Sequence, residues 1–151
     1  MCGRFVQHSD PEIYASRYAL ETWCEARPRY NVAPTQQVLA IRSGGEGQRE
    51  LVSLRWGLVP HWSKGPDNRY SMINARAESV RTKPAYRSPF KSRRCLIPAE
   101  GFYEWQTTPK GKQPYLIRRH DGEPFVMVGL WERWERAERG ILESCTIIIT
   151  G

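Results

Sequence analysis

The sequence predicts an α+β fold dominated by antiparallel strands, barrel-like, with few short helices. Three observations lead there. About seven short segments are rich in β-branched and aromatic residues, separated by brief turns containing Gly or Pro. Only one stretch pairs a helix-start signal with helical spacing of apolar residues. Strands do not alternate with long helices, and no repeat or low-complexity tract occurs. The 151 residues suffice to bury a core and are expected to form a single domain over residues 1–151.

Ser9-Asp10-Pro11-Glu12 supplies a capping side chain, a Pro in the first turn and an acid. Ile13, Leu20 and Trp23 recur on one face, so the spacing predicts a helix over about 11–24. Arg29-Tyr30-Asn31-Val32-Ala33-Pro34 is polar and flanked by Pro, and reads as a loop. Gln37–Arg42 and Glu50–Leu58 read as strands joined by Ser43-Gly44-Gly45-Glu46-Gly47. Ser63–Asn68 reads as a flexible loop, and Met72–Glu78 packs apolar residues beside polar ones. Thr82–Phe90, with Pro84 and Pro89, allows at most a short helix. Arg94–Pro98 and Gly101–Trp105 read as strands. Gln113–Arg119 and Pro124–Trp131 read as a hairpin across His120-Asp121-Gly122-Glu123. The charged run Trp131–Gly140 reads as a loop or amphipathic turn, and Ser144–Thr150 as the last strand.

Net charge is +7, contributed largely by Arg spread along the chain. That balance favours a polyanionic partner. Six Trp, seven Tyr and four Phe lie among those cations, a composition suited to single-stranded nucleic acid, where unpaired bases stack and phosphates pair. Cys2, Cys24, Cys95 and Cys145 are scattered without a CxxC, and His8, His61 and His120 form no HExxH. No metal site and no cofactor are therefore expected. No secretory signal is legible, and the longest apolar stretch, Phe125–Trp131, is too short to span a membrane. A reducing, cytoplasmic setting is the expectation.

The chemistry concentrates at the N-terminus. Removal of Met1 ahead of the small Cys2 leaves an α-amine and a thiol on one residue. Such an aminothiol condenses with an aldehyde to an imine, and the thiol then closes a thiazolidine. About a tenth or less of each group is in its reactive form at neutral pH. The Arg4 cation is expected to favour the neutral amine and the thiolate. Glu104, between Tyr103 and Trp105, is expected to be partly desolvated and so suited to proton transfer. Asn74 offers hydrogen bonds to a carbonyl or to the amine, and Arg4 and Arg76 are candidates for phosphates.

Seven blocks together resemble the SRAP family, the SOS-response-associated proteins that shield abasic sites. They are Met1-Cys2-Gly3-Arg4-Phe5, Arg29–Pro34, Trp56-Gly57-Leu58 with Pro60 and Trp62, Ile73–Glu78, Arg94–Pro98, Gly101–Trp105 and Lys112-Gln113-Pro114-Tyr115. The resemblance implies covalent capture of abasic sites in single-stranded DNA through Cys2, and self-removal of residues ahead of it. It also implies a lyase-type reaction, Glu104 as acid and base, and Asn74 as the group that positions the terminus. Arg4, Arg76 and Thr150 are implied to hold phosphates, with Asn31 also a DNA contact. Pro34 and Trp62 are implied to form an apolar wall that kinks the strand. A monomer acting near the nucleoid is expected, with replication-fork proteins as possible company.

Family members continue into a His-Asp-Arg-Met-Pro-type block after the last strand, and its histidine has no counterpart here. The chain is therefore expected to lack the family's C-terminal segment, leaving the pocket open on one side and ring opening slower. Two other readings remain at this stage. One is a reversible single-stranded DNA-binding module. The other is an N-terminal-Cys amidohydrolase, although the blocks that bind glutamine in that class are missing.

Overall fold

The computed structural model describes residues 2–67 and 72–151. Met1 and Asn68 therefore lie outside the described residues, and with them the state of the terminus and the end of the loop expected over 63–68. Strand is the predominant regular structure, with two short helices among the described residues.

The main sheet contains β2 (Thr22–Trp23), β4 (Gln37–Ser43), β5 (Arg49–Trp56), β6 (Asn74–Arg76), β7 (Arg94–Ala99), β10 (Phe125–Arg136) and β11 (Gly140–Ile149). Its order is β2-β5-β4-β7-β10-β11-β6, and β11 also returns to pair with β5. That last pairing is parallel, Ser144 opposite Arg55 and Cys145 opposite Trp56, and it closes β5-β4-β7-β10-β11 into a five-stranded barrel. Closure removes the edges that a flat sheet would leave unpaired. The barrel core contains Val38, Ala40, Leu54, Trp56, Cys95, Ile97, Cys145 and Ile147. The second sheet has the order β3-β1-β8-β9, formed by β1 (Phe5–Gln7), β3 (Arg29–Val32), β8 (Gly101–Thr108) and β9 (Gly111–Ile117).

Several expectations are corrected. The first helix, α1 (Pro11–Tyr18), begins where expected, with the Asp10 side chain accepting from the Glu12 backbone N–H at 2.9 Å. It stops at Tyr18, because Ala19 adopts a left-handed conformation (φ 55°) that turns the chain into β2. Pro11, Tyr14 and Ala15 form the buried side of the helix and Leu20, beyond its end, is buried too, whereas Ile13 and Trp23 stay exposed. Residues 29–32 are strand β3 rather than loop, because they pair with β1. The turn at 120–123 does not join a hairpin: β9 pairs with β8, and β10 pairs with β7 and β11. The chain there passes from one sheet to the other.

The charged run 131–140 is strand as far as Arg136, with Trp131 opposite Cys145 through Arg136 opposite Gly140, and only residues 137–139 form the expected turn. Its period-2 pattern is disguised by charge, since Glu132 is buried beside Trp134 and Leu130. Arg93 donates to Glu132 at 3.3 Å and stands in for the water this carboxylate has lost. The second helix, α2 (Pro84–Ser92), is the short one expected, with Pro89 inside it.

Candidate functional site

The site lies where the start of β1 meets β6 and β8. Phe5 is fully buried and packs edge-on against Trp56, with ring centroids 5.0 Å apart. Trp56 donates its indole N–H to the Ile73 carbonyl at 3.1 Å, and Ile147 donates its backbone N–H to the same oxygen at 2.9 Å. These bonds fix residues 72–74 beside the chain's beginning. Asn74 then donates its side-chain N–H to the Cys2 carbonyl at 2.9 Å, bridging 72 residues of sequence. The Asn74 Oδ1 is buried and has no hydrogen-bond partner among the described residues.

Cys2 belongs to the main core cluster and is 7% exposed. Its thiol is pushed up to about 11, first by burial and then by the negative charge of Glu104. The positive N-terminus and then the Arg4 backbone N–H pull the other way, with less effect. The expected activation of the thiol by the Arg4 cation is therefore overturned. Desolvation and a neighbouring anion both oppose the thiolate, and the Arg4 guanidinium is engaged with Asn31 Oδ1 at 3.2 Å. Glu104 is half-buried on β8. Strand alternation puts it on the face of Phe102, which packs on the core.

The other expected residues spread outward from this point. Arg76 follows Asn74 by two residues on β6, so it shares Asn74's face of that strand, and it is exposed. Ile149 is Arg76's partner on β11, which puts the exposed Thr150 next to Arg76's end of that edge. Arg4 and Asn31 meet on the second sheet, and half-buried Pro34 follows β3. Trp62 is 58% exposed and lines a cleft of about 530 Å³ with Arg55, Leu58, Lys64 and Met72. Among the described residues, Cys2 and Glu104 do not line that cleft.

A family model described as "SOS response associated peptidase (SRAP)" matches residues 1–151.

The chain belongs to this family.

Curated relatives include abasic site processing protein YoqW of Bacillus subtilis (strain 168), 43% identical over 154 residues, covering 99% of this chain and 68% of the relative. Abasic site processing protein YedK of Escherichia coli (strain K12) is 34% identical over 148 residues, covering 91% of this chain and 64% of its own. Among solved structures, a protein from Bacteroides thetaiotaomicron aligns with a TM-score of 0.86 at 26% identity, covering 99% of this chain and 68% of that one. A phage-related protein from Bordetella bronchiseptica gives 0.77 at 32% identity, covering 99% and 69%.

In this SRAP chain the sequence did not reveal the groups that hold the site in place. Glu100 is 6% exposed and accepts from the Tyr14 hydroxyl at 2.6 Å and from the His8 and Ser9 backbone N–H groups at 2.8 and 3.3 Å. It anchors the end of β1, and through it the strand that presents Cys2. The loop carrying Trp62 is held by the β10–β11 hairpin. Trp134 Nε1 donates to the Ser63 carbonyl at 3.0 Å and Arg139 to the Lys64 carbonyl at 3.1 Å. No sequence signal marks these partners, because each pairing spans 71 residues or more. Among the described residues, no group of three or more His, Cys, Asp or Glu is placed to hold a metal ion. Among them, too, no helix is long and apolar enough to cross a membrane.

Proposed function

We propose that this SRAP chain captures abasic sites in single-stranded DNA as a covalent thiazolidine on Cys2 after Met1 is removed. The observation that supports this reading best is the convergence on Cys2. Asn74 holds its carbonyl, and the charge of Glu104 acts on its thiol.

The base-less sugar rests as a closed hemiacetal. Glu104 serves as the base that takes the hydroxyl proton and as the acid that returns it to the ring oxygen, releasing the aldehyde. The Cys2 amine attacks C1′, and loss of water from the adduct gives the imine. Asn74 Oδ1, buried without a partner among the described residues, is the acceptor that would orient that amine. Burial and the charge of Glu104 both favour the protonated thiol, which leaves the first step to the amine. The thiol adds to the imine carbon, and its proton passes by way of Glu104 to the ring nitrogen. One aldehyde and one aminothiol become one thiazolidine and one water. Arg4, Arg76 and Thr150 would take phosphates, with Asn31 beside Arg4, while Pro34 and Trp62 would bound the kinked strand. In the same reading the chain removes its own leading residue, acts with a lyase-type outcome and works as a monomer on DNA in the cytoplasm.

The 7% exposure of Cys2 favours a second reading, reversible binding with a structural cysteine. A denaturing gel separates the two. Single-stranded DNA with a natural abasic site should give a DNA–protein species that survives hot detergent, absent in Cys2→Ala and with undamaged DNA. If binding instead dissolves in high salt and leaves no heat-stable species, the covalent reading is wrong.

A further inference from the structure

On the β8–β9 hairpin, the face that carries Glu104 also carries side chains that the reaction above leaves unused. Residues directly opposite in an antiparallel pair share a face, with Cβ atoms about 4.5–5.5 Å apart. Tyr115 is opposite Glu104, and Gln113 is opposite Gln106. Alternation puts both pairs on one face with Phe102. That face therefore runs outward from an apolar root, past Glu104, to a rim of two amides. Tyr115 is 51% exposed, and its hydroxyl donates to Gln106 Oε1 at 3.2 Å. An aromatic ring held next to Glu104 but left in solvent serves neither the core nor the proton transfer.

We infer that Tyr115 is a stacking platform for the base adjoining the abasic sugar, with Gln106 setting the angle of the ring. This rests on the abasic-site reading and adds to it a requirement for a neighbouring base. A sugar without its base leaves its neighbour with one unstacked face, and an exposed ring beside the proton-transfer carboxylate is placed to cover it. Removing a base–aromatic stack costs about 1–3 kcal/mol, or about 5- to 150-fold in affinity.

The test uses DNA carrying a tetrahydrofuran lesion, which cannot open to an aldehyde, so binding is reversible and measurable by anisotropy. A second tetrahydrofuran replaces the nucleotide on the 5′ or the 3′ side. Wild type should lose affinity about fivefold or more with one of these two oligonucleotides. Tyr115→Ala should lose a similar factor on the single-lesion DNA and then show no further loss on either double-lesion DNA. Tyr115→Phe, which keeps the ring, should retain the wild-type dependence on that neighbour. Equal sensitivity of Tyr115→Ala and wild type to both replacements overturns the inference, as does wild-type indifference to both. Thermal melting of Tyr115→Ala within a few degrees of wild type establishes that the variant is folded. Failure of the underlying reading looks different: wild type would then give no heat-stable species with natural abasic DNA.

Discussion

Replacing Glu104 with Gln removes one of the two main causes that raise the Cys2 thiol from its ordinary 9.0 to about 11. At pH 8 an ordinary thiol is about one part in ten thiolate, and at a value of 11 about one part in a thousand. Because only the thiolate reacts, alkylation of Cys2 should be about 100-fold slower than its type allows, equivalent to about 2.7 kcal/mol. Limited exposure slows the reaction further but equally at every pH, so the shape of the profile is the diagnostic quantity. Iodoacetamide labelling followed by peptide mass spectrometry separates Cys2 from Cys24, Cys95 and Cys145. The Cys2 rate should rise about tenfold per pH unit from 7 to 10 without levelling. In Glu104→Gln the midpoint should fall, yet remain above 9.0, because burial is the larger cause. A wild-type plateau near pH 8, or an identical midpoint in Glu104→Gln, would refute this account of the thiol.

The same shift bears on stability, together with that of Cys95, which burial pushes up to about 12. Unfolded thiols ionise near 9.0 while the folded ones keep their protons, so the stabilisation is complete below pH 9 and is lost as pH rises through 11. The Cys2 contribution to that loss is at most about 2.7 kcal/mol, read as a smaller alkaline drop in urea midpoint for Cys2→Ala. Gly129→Ala would place a methyl carbon 2.6 Å from the Thr146 carbonyl oxygen and 3.1 Å from Cys95 Sγ. It should cost about 1–3 kcal/mol, or about 2–12 °C in melting temperature by calorimetry. Gly65 has φ +127°, and a Cβ there would lie 2.9 Å from Arg139 Nη1. Gly65→Ala should loosen the Trp62 loop and weaken reversible single-stranded DNA binding severalfold, leaving the Cys2 alkylation profile as in wild type. Arg76→Gln should reduce the slope of log affinity against log salt by about 0.7, the share of one phosphate contact on single-stranded DNA.

Much of the fold was legible because its signals are local. Asp10 and Pro11 announced the start of α1, and apolar clusters marked β4, β5, β7 and β11. The failures share a cause. Trp23 looked like the end of a helix, but one residue in the left-handed region, Ala19, ended the helix at Tyr18. Glu132 made a strand look solvated, because its burial depends on Arg93, 39 residues away. The 120–123 turn was recognisable as a turn, but the partners of the strands it joins were not. For the site, Cys2, Asn74 and Glu104 were singled out as candidates, yet their meeting rests on contacts that sequence spacing cannot reveal.

By itself, the order of residues determined the antiparallel, strand-rich class, the membership in the SRAP family and the aminothiol that Cys2 can become. Those follow from residue identity, period-2 alternation and motif order, all of which are written locally. Only the tertiary structure decided that β11 closes on β5 in parallel, that β9 and β10 belong to different sheets, and that Asn74 reaches Cys2. It also reversed the expected state of the thiol. Desolvation sums over every neighbour packed around a group, and those neighbours come from strands far apart in the chain.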